Sequence, residues 1–201
     1  GGIGGNFEMI EKVWPTERLG AMPQNMLSGV PKHVDGRMLD ISEAAGGHVI
    51  NRDRLWFYTE GIKNWDPIWP RHGIRVLPGP SSMWFDACGK RFPPPALPGF
   101  DSLGTLKHIL ATGYDYSWFI TTQKIIKKEF ALSGSEQNPD FAAKSWKMVL
   151  QQRLLNPKAT PPVEAFKDHG PDFVVANDID TLVAKMNQLT PTPLLEPSDI
   201  R

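Results

Sequence analysis

The sequence predicts an α+β fold built from short strands and short helices joined by many loops. Three observations carry that prediction. Strand-like and helix-like stretches alternate irregularly along the 201 residues, without the regular strand–helix repeat of a parallel sheet. Nineteen prolines, about twice the usual share of roughly 5%, keep the elements short. Hydrophobic residues at 40% and charged residues at 22% are the proportions of a folded, water-facing protein with one main core.

The opening Gly1-Gly2-Ile3-Gly4-Gly5-Asn6 has the look of a dinucleotide loop, but Phe7 stands where the third glycine is needed and no strand precedes it. From Asp35 to Gly46 a short helix is expected, with Asp35 as N-cap, Met38, Ile41 and Ala45 on one face, and Gly46-Gly47 as the stop. His48-Val49-Ile50 is expected to be a strand, as are 73–77 and 82–86. The last of these turns through Asp86-Ala87-Cys88-Gly89 toward Lys90-Arg91-Phe92, where Pro93-Pro94-Pro95 ends the pairing.

Asp101 or Ser102 can cap a helix through Leu103, Leu106 and Leu110 that closes at Gly113. Residues 116–122 have strand composition and 124–130 suit a short basic helix. Asn138-Pro139 starts a helix expected to run to about Leu155, and Asn177 or Asp178 caps another over 179–189. The tail from Thr190 carries three prolines and no packing pattern.

The sequence gives no sign of several function classes. Acidic and basic residues balance at 22 each and no basic block stands out, so nothing asks for nucleic acid or an anionic membrane surface. No apolar run approaches the roughly 18 residues needed to span a bilayer, and charged residues follow the opening glycines where a signal peptide would be apolar. Cys88 is the one cysteine, which rules out an internal disulfide and a cysteine-based zinc site. The five histidines are scattered without ligand spacing, so no metal is expected. A cytoplasmic protein is the expectation.

The chemically dense stretch is 54–91. It gathers Trp56, Trp65, Trp69 and Trp84 with a phenol (Tyr58), a carboxylate (Glu60), an imidazole (His72) and a Pro78-Gly79-Pro80 turn. Such a mixture can line a pocket for a flat apolar molecule with one polar handle, or equally form a packed aromatic core with charged rims. A stand-alone binding module with an aromatic partner surface is the alternative to an enzyme.

Four segments in order resemble the flavoprotein superfamily of fumarate reductases, succinate dehydrogenases and ketosteroid dehydrogenases. The opening Gly-Gly-Ile-Gly-Gly-Asn is similar to the tail of that family's Ala-Thr-Gly-Gly segment. Residues 34–46 resemble its Gly-Asp-Gly helix, Gly89-Lys90-Arg91-Phe92 its Gly-Lys-Arg-Phe strand end, and 175–182 its Ala-Asp-Thr-Leu segment.

The resemblance implies FAD as cofactor, and a mobile cap closing over substrate and flavin. It implies that this chain is the middle of a larger flavin-dependent dehydrogenase and does not itself retain the flavin. Residues 1–33 would be a connecting segment with Gly1 and Gly2 at the cofactor's edge, 34–189 the cap and substrate domain, and 190–201 a tail toward the rest of the flavin domain.

The reductases' substrate-binding Thr-Glu pair falls on Ile74 and Arg75, and Pro93–Phe100 lacks their proton-donating arginine. The resemblance therefore points to the ketosteroid side, where a tyrosine removes a proton and the flavin a hydride from adjacent carbons beside a ketone. Tyr58 is the candidate base, with Tyr114 and Tyr116 as the others, and Glu60 and His72 are expected to orient the phenol or hold a carbonyl. Arg75, Gly79, Ser81, Ser82 and Trp84 are expected nearest an apolar cyclic ketone, small residues allowing close backbone approach.

Overall fold

A computed structural model describes residues 2–81 and 83–200, so Gly1 and Ser82, both expected at the site, lie outside the described residues. The chain opens with two helices that the glycine turn had hidden, α1 (Phe7–Val13) and α2 (Thr16–Leu19). Asn6 starts α1 by accepting the Met9 N–H at 3.0 Å, which supplies one of the partners a helix N-terminus lacks. Ile10, Trp14 and Leu19 then pack with Leu106 into an apolar cluster.

Helix α3 (Arg37–Ala44) follows at the expected place, but Gly36 is its N-cap residue, with Asp35 bonded to the Arg37 N–H. None of its residues is buried, so the Met38 and Ile41 face expected to pack stands open. His48-Val49-Ile50 forms no strand: strand propensity counts only where another strand offers a ladder, and none lies beside it.

Strands β1 (Gly61–Lys63) and β2 (Gly73–Leu77) pair antiparallel, with Gly61 opposite Arg75 and Lys63 opposite Gly73. The second sheet begins with β3 (Met83–Asp86), which turns back as expected. Asp86 Oδ1 accepts the N–H groups of Cys88 and Lys90, and Gly89 takes the positive φ of 79° that the turn requires. Helix α4 (Ser102–Ala111) is capped by Asp101, which accepts the Gly104 N–H at 2.9 Å.

Strand β4 (Ser117–Ile120) pairs with β3, setting Trp84 opposite Phe119 and Asp86 opposite Ser117. Helix α5 (Gln123–Glu129) leads into β5 (Ala131–Leu132), which completes the first sheet beside β2.

The long helix expected from Asn138 is broken. Helix α6 (Pro139–Ala142) stops where Lys144 takes a left-handed φ of 51°, and Ser145 caps a fresh start, α7 (Trp146–Val149), by accepting the Met148 N–H. The chain then widens into a π-helical turn over Leu150–Leu155. Helices α8 (Pro161–His169), α9 (Ile179–Gln188) and α10 (Pro197–Ile200) close the chain.

Two clusters hold the sheets. Ile74, Val76 and Leu132 pack beneath α5 and α8 through Ile126, Val163 and the fully buried Phe166. Phe85 and Ile120 pack against Val183 and Met186 of α9. The tail is part of this second cluster, because Leu195 and Ile200 are buried in it; the prolines had masked that pattern. Helices and small antiparallel sheets thus make the α+β class.

Candidate functional site

The pairing of β1 with β2 brings Arg75 against Glu60 at the start of β1. Glu60 is 2% exposed, and its charge is fully engaged. Oε1 accepts Arg75 Nε at 3.0 Å and Nη2 at 2.8 Å, while Oε2 accepts the Thr59 N–H and hydroxyl. A buried carboxylate is tolerable only with such a set of partners.

Arg75 has a second task. Its guanidinium carbon lies 3.7 Å from the centroid of the Tyr58 ring, a close cation–π contact. Tyr58 is 46% exposed, and its outer edge meets the exposed Trp56 at a ring separation of 6.3 Å. Glu60 therefore reaches Tyr58 through Arg75.

His72 sits at the other end of the β1–β2 hairpin and is buried. Its Nδ1 lies 3.0 Å from Asn64 Nδ2 and accepts the Ile68 N–H at 3.2 Å. That leaves Nε2 to carry the proton, facing Glu136 at 3.7 Å. Trp69 stacks on the ring at 3.7 Å. Burial lowers the His72 pKa below its ordinary value, and the Glu136 carboxylate opposes the shift. The partners of His72 knit the hairpin loop and do not include Tyr58 or Glu60.

The Pro78–Ser81 loop docks on the end of α5. Ser81 donates its N–H and hydroxyl to the two carboxylate oxygens of Glu129 at 3.0 and 2.9 Å. A Cβ on Gly79 would stand 2.2 Å from Glu129 Cβ, so the close approach that this glycine permits is to the chain itself. Trp84, expected as an open plate, is buried between Phe92 and Ile109, with Phe119 tilted against it at 4.7 Å.

A broad open cavity of about 2330 Å³ lies among the described residues. Glu60, Ser81 and Trp84 border it, whereas Tyr58, His72, Arg75 and Gly79 do not. Its aromatic wall is a ladder of Tyr114, Tyr116 and Trp118, with successive rings 5.7 and 5.4 Å apart, edge to face. Burial pushes the Tyr116 phenol up from its ordinary value, and a hydrogen bond with Thr190 pulls it back.

The ladder is anchored at Asp115, whose carboxylate accepts the N–H groups of Gln24 and Asn25 at 2.9 and 3.0 Å. Trp118 was not singled out from the sequence. The signal was the spacing of two in Tyr114, Tyr116 and Trp118, which sets all three on one side of an extended chain.

The glycine turn was the expected edge of a cofactor site, and two of its N–H groups bond within the chain. The Gly5 N–H donates to Val34 C=O and the Asn6 N–H to Ile3 C=O. A Cβ on Gly5 would lie 2.4 Å from Pro31 O, and one on Gly2 would lie 3.1 Å from Val34. The turn is packed closely against residues 30–34 of its own chain. No group of three His, Cys, Asp or Glu is placed to hold a metal among the described residues.

Comparison with known proteins adds the family. A model of the FAD binding domain matches residues 1–194. A KsdD-like steroid dehydrogenase of Mycolicibacterium smegmatis is 59% identical over 189 residues, 94% of this chain and 34% of that protein. Two KsdD-like steroid dehydrogenases of Mycobacterium tuberculosis are 59% and 58% identical over 191 residues, again 94% of this chain and 33% of theirs. The chain thus spans about a third of the length of the curated relatives it matches. No solved structure matches it. On the match over 1–194, this chain belongs to the FAD binding domain family of flavoproteins, whose cofactor is FAD.

Proposed function

We propose that the protein containing this chain is an FAD-dependent dehydrogenase of a cyclic, apolar, steroid-like ketone, and that residues 34–189 form its substrate-capping region. The carrying observation is the identity of 59% to a protein named a KsdD-like steroid dehydrogenase, over 94% of this chain. The same match weighs against a stand-alone binding module. In such a reaction FAD supplies the acceptor for the hydride.

This chain's part is to bind, orient and take a proton. Apolar area at the Tyr114–Trp118 wall suits a fused-ring substrate, at roughly 25 cal/mol for each Å² buried. A small dicarboxylate could not use that area. Tyr58 is the proposed base, its phenolate Oη taking a proton from the carbon beside the ketone to become the phenol, with its ring held by Arg75 and Arg75 held by Glu60. His72 positions the hairpin that carries these residues, and Gly79 and Ser81 belong to a loop braced on Glu129.

Tyr116 is a second candidate base, favoured by its place in the cavity wall. The capping region would pack against the flavin-holding part of the same polypeptide. A cytoplasmic setting agrees with a chain whose one cysteine, Cys88, is unpaired.

The test is anaerobic mixing of the flavin-loaded protein with a panel of steroid ketones and with succinate. Bleaching of the flavin band by a ketone is expected. Bleaching by succinate alone overturns the substrate class.

A further inference from the structure

The substrate surface makes no use of the face carried by α6, α7 and the π-helical turn. Five large apolar side chains stand exposed there: Phe141, Trp146, Leu150, Leu154 and Leu155, with Trp146 at 85% and Leu154 at 70%. Spacings of four from Trp146 through Leu150 to Leu154, and of five from Leu150 to Leu155, suit one side of a helix widened to π geometry.

The face is held firmly from behind. Arg153 donates to both oxygens of the buried Asp140, at 2.6 and 3.0 Å, and to Asn138 Oδ1 at 2.9 Å. Its guanidinium also lies 4.1 Å from the centre of the Phe141 ring. An exposed apolar face on a braced scaffold marks an interaction surface.

Its charge says what kind. From Phe141 to Lys158 there are four basic residues and no acidic one, although the whole chain is neutral. Arg153 is engaged with Asp140 and Lys158 borders the cavity, but Lys144 and Lys147 are exposed, and their side chains have no partner among the described residues. A second copy seated on this face across a two-fold axis would bring the lysines of both copies together. A surface with its own negative charge resolves that conflict.

We propose that residues 141–155 dock the protein on an anionic lipid surface. Trp146 and Phe141 lie at the headgroup level, the leucines enter the acyl boundary, and Lys144 and Lys147 meet lipid phosphates. No helix among the described residues is long and apolar enough to cross a membrane, so the contact is peripheral. It stands apart from the proposed chemistry, although an apolar ketone would be drawn from the same bilayer.

The test is co-sedimentation of the complete flavin-loaded protein with phosphatidylcholine vesicles, with and without phosphatidylglycerol. Binding should require phosphatidylglycerol and weaken in about 0.5 M salt, where charge is screened within a few ångströms. The double variants Trp146→Glu/Leu154→Glu and Lys144→Glu/Lys147→Glu should each bind about tenfold less or weaker still, with flavin content and melting temperature unchanged.

Absence of binding, or equal binding by the variants, overturns the proposal. A dimer that the first variant dissolves, without any lipid binding, assigns the face to a second copy and overturns it too. Loss of flavin or a large drop in melting temperature in both variants shows the face covered by the protein's own chain, which likewise overturns lipid docking.

Discussion

Arg75 lies with its guanidinium carbon 3.7 Å from the centre of the Tyr58 ring, and the same guanidinium is clamped by the buried Glu60 at 2.8 Å. The phenol is therefore fixed through its face, which leaves its hydroxyl free of any duty in holding the ring. A side chain can serve as a base only if its position survives without the proton it moves, and this arrangement meets that condition.

Tyr58→Phe keeps the ring and its cation, so ketone binding should change little while turnover falls by on the order of 100-fold or more. Stopped-flow flavin reduction measures the rate, and steady-state titration measures binding. Unchanged turnover would remove Tyr58 from the chemistry, and loss of rate in Tyr116→Phe alone would move the role to the cavity wall. Arg75→Ala strands the Glu60 carboxylate in the interior and should lower stability by about 3 kcal/mol in urea unfolding. Replacing both residues by leucine should recover most of that loss.

The pH dependence of stability follows from His72. Burial lowers its folded-state pKa below the ordinary 6.5, so the unfolded chain takes up the proton first as pH falls. Stability from this group is complete above pH 6.5 and is lost as pH drops from there toward the lowered folded value. Asp140 and Glu164 also have lowered pKa values, but as carboxylates they act in a more acid range. Urea midpoints between pH 7.5 and about 5 should therefore fall in the parent and fall less in His72→Gln. An identical slope in the variant would show that His72 is not the group responsible.

Gly5→Ala should destabilise by about 1–3 kcal/mol, because the new methyl meets backbone atoms of Pro31 and Lys32 that cannot step aside. Gly29→Ala meets nothing within 4 Å and serves as the control. Thermal melts of the two variants decide it. Equal melts would mean that the close packing of the glycine turn on residues 30–34 does not matter to stability.

The sequence by itself determined what depends on neighbours a few residues away. Asp101 and Asp178 cap their helices through N–H groups three residues on, and the β3 turn closes on Gly89 because Asp86 reaches Cys88 and Lys90. The α+β class and the resemblance carried by 89–92 were legible for the same local reason.

Tertiary structure decided which side chains meet across long separations. It set Arg75 on Glu60 and under Tyr58, and it turned His72 toward Asn64 and Glu136 at the far end of the hairpin. Trp84 became core because β4 laid Phe119 against it. The aromatic wall at Tyr116 took its place because Asp115 is tied to Asn25, 90 residues earlier. The 141–155 segment is neutralised in the whole-chain charge balance, and its apolar side chains emerge as a surface only where the break at Lys144 and the π-helical turn leave them uncovered. An aromatic, a carboxylate or a lysine carries the same chemistry wherever it stands in a chain. Whether it lines a site, fills a core or faces a membrane depends on which surface the fold brings to cover it.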